Sequence, residues 1–169
     1  MGWGCRQLKL FEYTTNRMKV LVLGHGWRAW KERERARCAP MEVSEWNMLV
    51  QDADKETLTF LDCQEEEEPD IVECAGNDWT KNITEPHSYD YVIDSITHLR
   101  ISERSMKQYW DSIKYSLKSE GVYIGWNDAI RPYAYLRITA ENIDKHYTDI
   151  YPLKDKSLNN GIYHDFGKY

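Results

Sequence analysis

The chain lacks any apolar run approaching the roughly 20 residues that a membrane-crossing helix needs, so no transmembrane segment is expected. It has no Cys-x-x-Cys pair. Its four cysteines are Cys5, Cys38, Cys63 and Cys74. That spacing signals neither a zinc ribbon nor a dithiol redox motif, and reads as thiols in a reducing compartment. Positive charge is in deficit, with 22 Lys and Arg against 28 Asp and Glu and a net charge of −6. A broad nucleic-acid-binding face is therefore not indicated, although a basic run extends from Arg28 to Arg37. There is no signal-peptide pattern, and the expected location is cytoplasmic. Arg6 stands where an acylation signal beginning at Gly2 needs Ser or Thr. The Asn82-Ile83-Thr84 sequon has no secretion signal to give it meaning.

What is present begins with Val20-Leu21-Val22-Leu23, an uninterrupted apolar run followed at once by Gly24-His25-Gly26. Such a run predicts a strand buried on both faces, as in a parallel sheet. Paired glycines let the backbone turn sharply and remove the Cβ between chain and neighbour. In a doubly wound α/β domain that bend is where a nucleotide-like ligand binds. The third glycine of the dinucleotide fingerprint is missing, with Ala29 and Trp30 near its place.

With 169 residues the chain can bury a sizeable core in one domain. Residues 1–17 read as an arm and 18–169 as the domain. Trp27 to Arg37 predicts a solvated helix or a basic loop, ended by Pro40, and Glu42 to Val50 a helical turn with Trp46 and Leu49 facing inward. Strands are predicted at Thr57–Asp62, Asp70–Ala75, Tyr89–Asp94 and Gly121–Trp126. Glu65 to Glu68 is a solvated acidic turn. A helix capped by Ser102 carries Met106, Tyr109, Trp110, Ile113 and Leu117 on one face. Thr139 to Tyr147 predicts another helix, and Asp149–Leu153 with Ile162–Phe166 a closing hairpin around Asn159-Asn160-Gly161. The sum is an α/β fold, a doubly wound and mostly parallel sheet with a C-terminal antiparallel hairpin.

This order of parts resembles the class I S-adenosylmethionine-dependent methyltransferases, a Rossmann-like family, over roughly residues 18–169. VLVLGHG is similar to the family's first motif, TLTFLD to its second strand with a terminal acid, and PDIVECAGNDW to its third strand and adenine-side loop. YDYVID resembles the fourth strand and LKSEGVYIGW the turn into the fifth. The resemblance implies S-adenosylmethionine as cofactor, with Gly24, His25 and Gly26 near its amino-acid tail and Asp62 accepting the ribose hydroxyls. Cys63 would lie beside the adenine, with Ala75, Gly76, Asn77 and Trp79 closing over the ring. Asp94 and Ser95 would lie below the methyl group, making Asp94 and His98 the catalytic candidates.

Each residue has a plainer reading. Asp62 would cap local backbone, His25 would be a turn residue, Trp79 would be core, and His98 would be structural. Tyr109 and Trp110 read as helix packing. Two departures bear on activity. Val22 stands where the family has an acid that helps hold the methionine amino group, and Cys74 stands where it has one facing the adenine. The implied function is methyl transfer from S-adenosylmethionine, without a metal, to a small-molecule or partner-presented acceptor that the sequence does not name. The absence of an Asn-Pro-Pro-Tyr tetrad speaks against nucleobase amino groups. The alternative is a catalytically inactive methyltransferase fold kept for binding or assembly, with oligomerisation left open. A nicotinamide oxidoreductase fits less well, because the glycine fingerprint is incomplete.

Overall fold

The computed structural model describes residues 18–30, 40–94, 97–127 and 134–153. They form an α/β fold around one six-stranded, mostly parallel sheet. The strands are β1 (Val20–Leu23), β2 (Leu58–Asp62), β3 (Ile71–Val72), β4 (Tyr89–Asp94), β5 (Leu117–Asn127) and β6 (Ala134–Thr139). The helices are α1 (Trp27–Trp30), α2 (Val43–Trp46, continued by a wider turn over Asn47–Gln51), α3 (Met106–Ser116) and α4 (Ile143–Leu153).

Strand order is β3-β2-β1-β4-β5-β6. The first five are parallel, and β6 runs antiparallel to β5. β1 is central because all four of its residues are apolar and at most 1% exposed. Each such side chain contributes about 1.5–3 kcal/mol when fully buried. Their alternation builds two cores. Leu21 and Leu23 pack on one face with Met106, Tyr109, Trp110 and Ile113 of α3. Val20 and Val22 pack on the other with Trp46, Leu49 and Val50. The segment between β1 and β2 thus covers one face, and the helix between β4 and β5 covers the other. Trp46 and Leu49 face inward, as their spacing predicted.

Three expectations are corrected. Asp149–Leu153 is not a strand but the last part of α4. Its proposed partner, Ile162–Phe166, lies outside the described residues, as do the arm 1–17 and most of the basic run. The antiparallel partner of β5 is instead β6, paired from Val122↔Thr139 to Asn127↔Ala134. β6 carries a two-residue alternation, with Tyr135 and Arg137 exposed, Leu136 half-buried and Ile138 buried, the pattern of a strand packed on one side. The third strand is shorter than predicted, at Ile71–Val72.

Candidate functional site

The carboxyl ends of β1, β2 and β4 meet at one edge. Leu23 is in register with Leu61 on one side and Asp94 on the other. The chain then turns at Gly24, whose φ is +82°, a left-handed conformation that a side chain disfavours. Its amide donates to the Leu61 carbonyl at 2.8 Å. The bend is thereby tied to the end of β2, with Asp62 and Asp94 closing the strands on either side.

Asp62 is 8% exposed, and its Oδ1 accepts the Gln64 amide at 2.9 Å. It therefore does cap local backbone.

Asp94 is fully buried. Its Oδ1 accepts the Thr97 hydroxyl at 2.7 Å, and its Oδ2 accepts the hydroxyl of Tyr109. That hydroxyl also shares a 2.7 Å hydrogen bond with Tyr123. Burial, then the neighbouring Asp94 charge, pushes the Tyr109 phenol well above its ordinary value. Thr97, Tyr109 and Tyr123 form a polar knot under the bend that sequence reasoning missed, having assigned Tyr109 to helix packing alone. The available signal was a phenol on an apolar helix face, because a buried tyrosine hydroxyl requires a partner.

Other residues named from the sequence are drawn away from this edge. The His25 ring is 2% exposed and lies 5.3 Å from the Trp46 ring, beneath the sheet. Gly26 serves a close approach of the chain to itself. A Cβ there would lie 1.9 Å from the carbonyl oxygen of Glu67. The acidic loop is held in that place by several bonds. The Trp27 amide donates to the Glu68 carbonyl at 3.3 Å and the Trp27 indole to Asp70 Oδ1 at 3.0 Å. Asp70 Oδ2 in turn accepts the Phe60 amide at 2.8 Å. The run from Glu65 to Glu68, expected to be only a solvated turn, is therefore also a brace over the glycine bend.

Trp79 is fully buried, with its indole N–H donating to the Ala75 carbonyl at 3.1 Å. It belongs to the core and presents no open face to a ring. Ala75 is buried beside it, and Gly76 packs against Ser105 and Ile101. Asn77 is exposed and donates to Glu73 Oε1 at 2.8 Å. That bond, ahead of Lys81, holds the Glu73 carboxyl below its usual range despite partial burial. Cys63 and Cys74 are half-buried neighbours. Burial first, then Cys63 and the Glu73 and Asp62 charges, raises the Cys74 thiol. The backbone of His98 falls in the turn Thr97–Arg100, and Ser95 lies outside the described residues.

The edge thus brings together Gly24, Asp62, Cys63 and Asp94, and removes His25, Gly26 and Trp79 from direct reach. Among the described residues, no group of three or more His, Cys, Asp or Glu side chains is arranged to hold a metal ion. No helix among them is long and apolar enough to cross a membrane. Compared with protein-family models, with curated proteins and with solved structures, the chain matches nothing.

Proposed function

We propose that the chain binds S-adenosylmethionine at the edge formed by β1, β2 and β4, and is a divergent Rossmann-like methyltransferase. One observation carries this reading. The glycine bend sits between β1 and β4, where crossovers change from one face of the sheet to the other, and it is flanked by the strand-end acids Asp62 and Asp94. Ligands in open α/β sheets bind at such switch points, outside the carboxyl ends of the strands.

The residues fit one end of the cofactor better than the other. Asp62, next to the bend and not wholly enclosed, suits a ribose diol, since a carboxylate accepts two hydroxyl donors in charge-assisted bonds. Around Gly26 the Glu67 carbonyl occupies the space that the amino-acid tail would need. Binding there requires the 64–70 loop to shift. When bound, the cofactor supplies a methyl group already activated on a sulfonium. This chain's part would be to orient it through Asp62 and to keep the floor rigid through Asp94 and Tyr109. The acceptor is a small molecule or a group presented by a partner.

A second reading, a methyltransferase fold retained for binding or assembly without turnover, is favoured by the same Glu67 carbonyl and by Asp94 being fully buried. Calorimetry with S-adenosylhomocysteine tests cofactor binding. Saturable binding weakened at least tenfold by Asp62→Ala is expected. No heat at high micromolar ligand would exclude the cofactor. Labelled methyl transfer to any component of a cell extract would then separate the enzyme from the inactive module.

A further inference from the structure

We propose that Cys63 and Cys74 form a reversible disulfide that cross-links the ends of β2 and β3. The two residues are distant from a Cys-x-x-Cys spacing, and the fold brings them together. β2 and β3 are parallel neighbours with Asp62 in register with Val72. The Glu73 amide donates to the Asp62 carbonyl at 3.1 Å, which carries the pairing one step past the strands. Cys63 therefore sits beside Glu73 and diagonally across from Cys74, which lies past the last strand residue, Val72, and is not held to the opposite face by strand alternation. With neighbouring strands ~4.8 Å apart, such diagonal Cα atoms are about 6 Å apart. A disulfide spans Cα separations of ~4.4–6.8 Å. The two thiols lie close enough to influence each other, and both residues are half-buried, so that a small reagent can reach them.

The reaction is a thiol–disulfide exchange with a low-molecular-weight disulfide as oxidant. One protein thiolate attacks a sulfur of the reagent, forming a protein–reagent mixed disulfide and expelling one reagent thiolate. The second protein thiol loses its proton and attacks the protein sulfur of that mixed disulfide. The Cys63–Cys74 bond forms as the second reagent thiolate leaves. The protein loses two electrons and two protons, and the reagent gains them as two thiols. Cys74, whose thiolate is disfavoured by burial and by two neighbouring carboxylates, is assigned the second attack.

The closed ring contains the acidic loop, including the Glu67 carbonyl that covers Gly26. With both thiols free the loop already rests on Gly26 through its own hydrogen bonds, so oxidation should tether that brace more tightly and slow its opening. The bond itself depends on neither cofactor nor acceptor, so the pairing stands or falls separately from methyl transfer.

The full-length protein is equilibrated in oxidised and reduced glutathione, acid-quenched and alkylated with a maleimide. It is then cleaved after glutamate, because residues 56–80 contain no Lys or Arg and trypsin would leave both cysteines in one peptide. Two peptides joined only through Cys63 and Cys74, and separated by dithiothreitol, are expected. Cys63→Ser should abolish the cross-link, leaving Cys74 alkylated or carrying a single glutathione. Hydrogen exchange across residues 64–70 should slow in the oxidised wild-type protein. Recovery of both cysteines as separate alkylated or glutathionylated peptides in excess oxidant would overturn the proposal. So would pairing of either with Cys5 or Cys38. The wild-type peptide map decides the matter even if a variant does not fold.

Discussion

A Cβ atom on Gly26 would meet the carbonyl oxygen of Glu67 at 1.9 Å. The atom in the way is backbone, and its loop is tied to Trp27 and through Asp70 to Phe60. Relief requires the loop to move as a unit. Gly26→Ala is therefore expected to lower stability by about 1–3 kcal/mol, the usual range for forcing extra carbon into a packed site. Urea denaturation followed by tryptophan fluorescence measures it. A change under about 0.5 kcal/mol would mean that the loop does not rest on the bend.

Tyr109→Phe removes the hydroxyl that bridges Asp94 and Tyr123. A buried acceptor left without its donor costs about 1–3 kcal/mol, and that loss is expected in denaturant melts near neutral pH. The effect on alkaline stability has the opposite sign. Burial and the Asp94 charge raise the Tyr109 phenol in the folded protein. Its contribution is whole below the unfolded value of about 10 and declines as pH rises from there towards the folded value. Wild-type stability should fall more steeply than that of Tyr109→Phe above pH ~10. Parallel curves for the two proteins would contradict the buried phenol.

Asn77→Ala should raise the titration of Glu73. The Asn77 amide is the largest influence holding that carboxyl low, and the Glu73 backbone links β3 to Asp62. A carboxyl with a lowered folded value contributes stability above its unfolded value of about 4.3. That contribution disappears as pH falls through the folded value. The variant should therefore be less sensitive to acid between those limits. Carbon-detected NMR titration of the Glu73 carboxyl gives the direction directly. An unmoved midpoint would refute the assignment.

Trp79→Ala should cost about 3–5 kcal/mol, as for other buried aromatics truncated to alanine, because the ring is fully enclosed with its N–H on the Ala75 carbonyl. Trp79→Phe should be milder and should leave the affinity for S-adenosylhomocysteine within a factor of two. A selective loss of ligand affinity with unchanged stability would restore Trp79 to the binding edge.

The parts of this protein that local pattern made readable are those whose neighbours on both faces are apolar. VLVL and YDYVID became β1 and β4 at their predicted boundaries, since a buried strand leaves a short run of β-branched, aliphatic and aromatic residues in the chain itself, unbroken in β1 and interrupted in β4 only by Asp90. Trp46 and Leu49 were placed inward by their three-residue spacing on a helical turn. The C-terminal region misled because Asp149–Leu153 is short, aromatic and β-branched, which favours a strand on propensity alone. Its continuity with Ile143, which packs into the core beside α3, makes it helix. β6 escaped although its alternation was in plain sight, since its pairing with β5 joins segments brought together only by the fold.

The amino-acid order by itself determined the succession of β1 to β5, the bend at Gly24 and the acids that end β2 and β4. It did so through near-neighbour sterics and burial, which need no knowledge of distant residues. Tertiary structure alone decided what each polar group touches: Tyr109 on Asp94, Glu67 over Gly26, His25 against Trp46, Cys63 beside Cys74. Those partners are separated by as many as 41 positions, as 67 minus 26 shows for Glu67 and Gly26. A hydrogen bond or a close approach depends on where chain ends converge in space, and periodicity along the chain carries no record of that convergence.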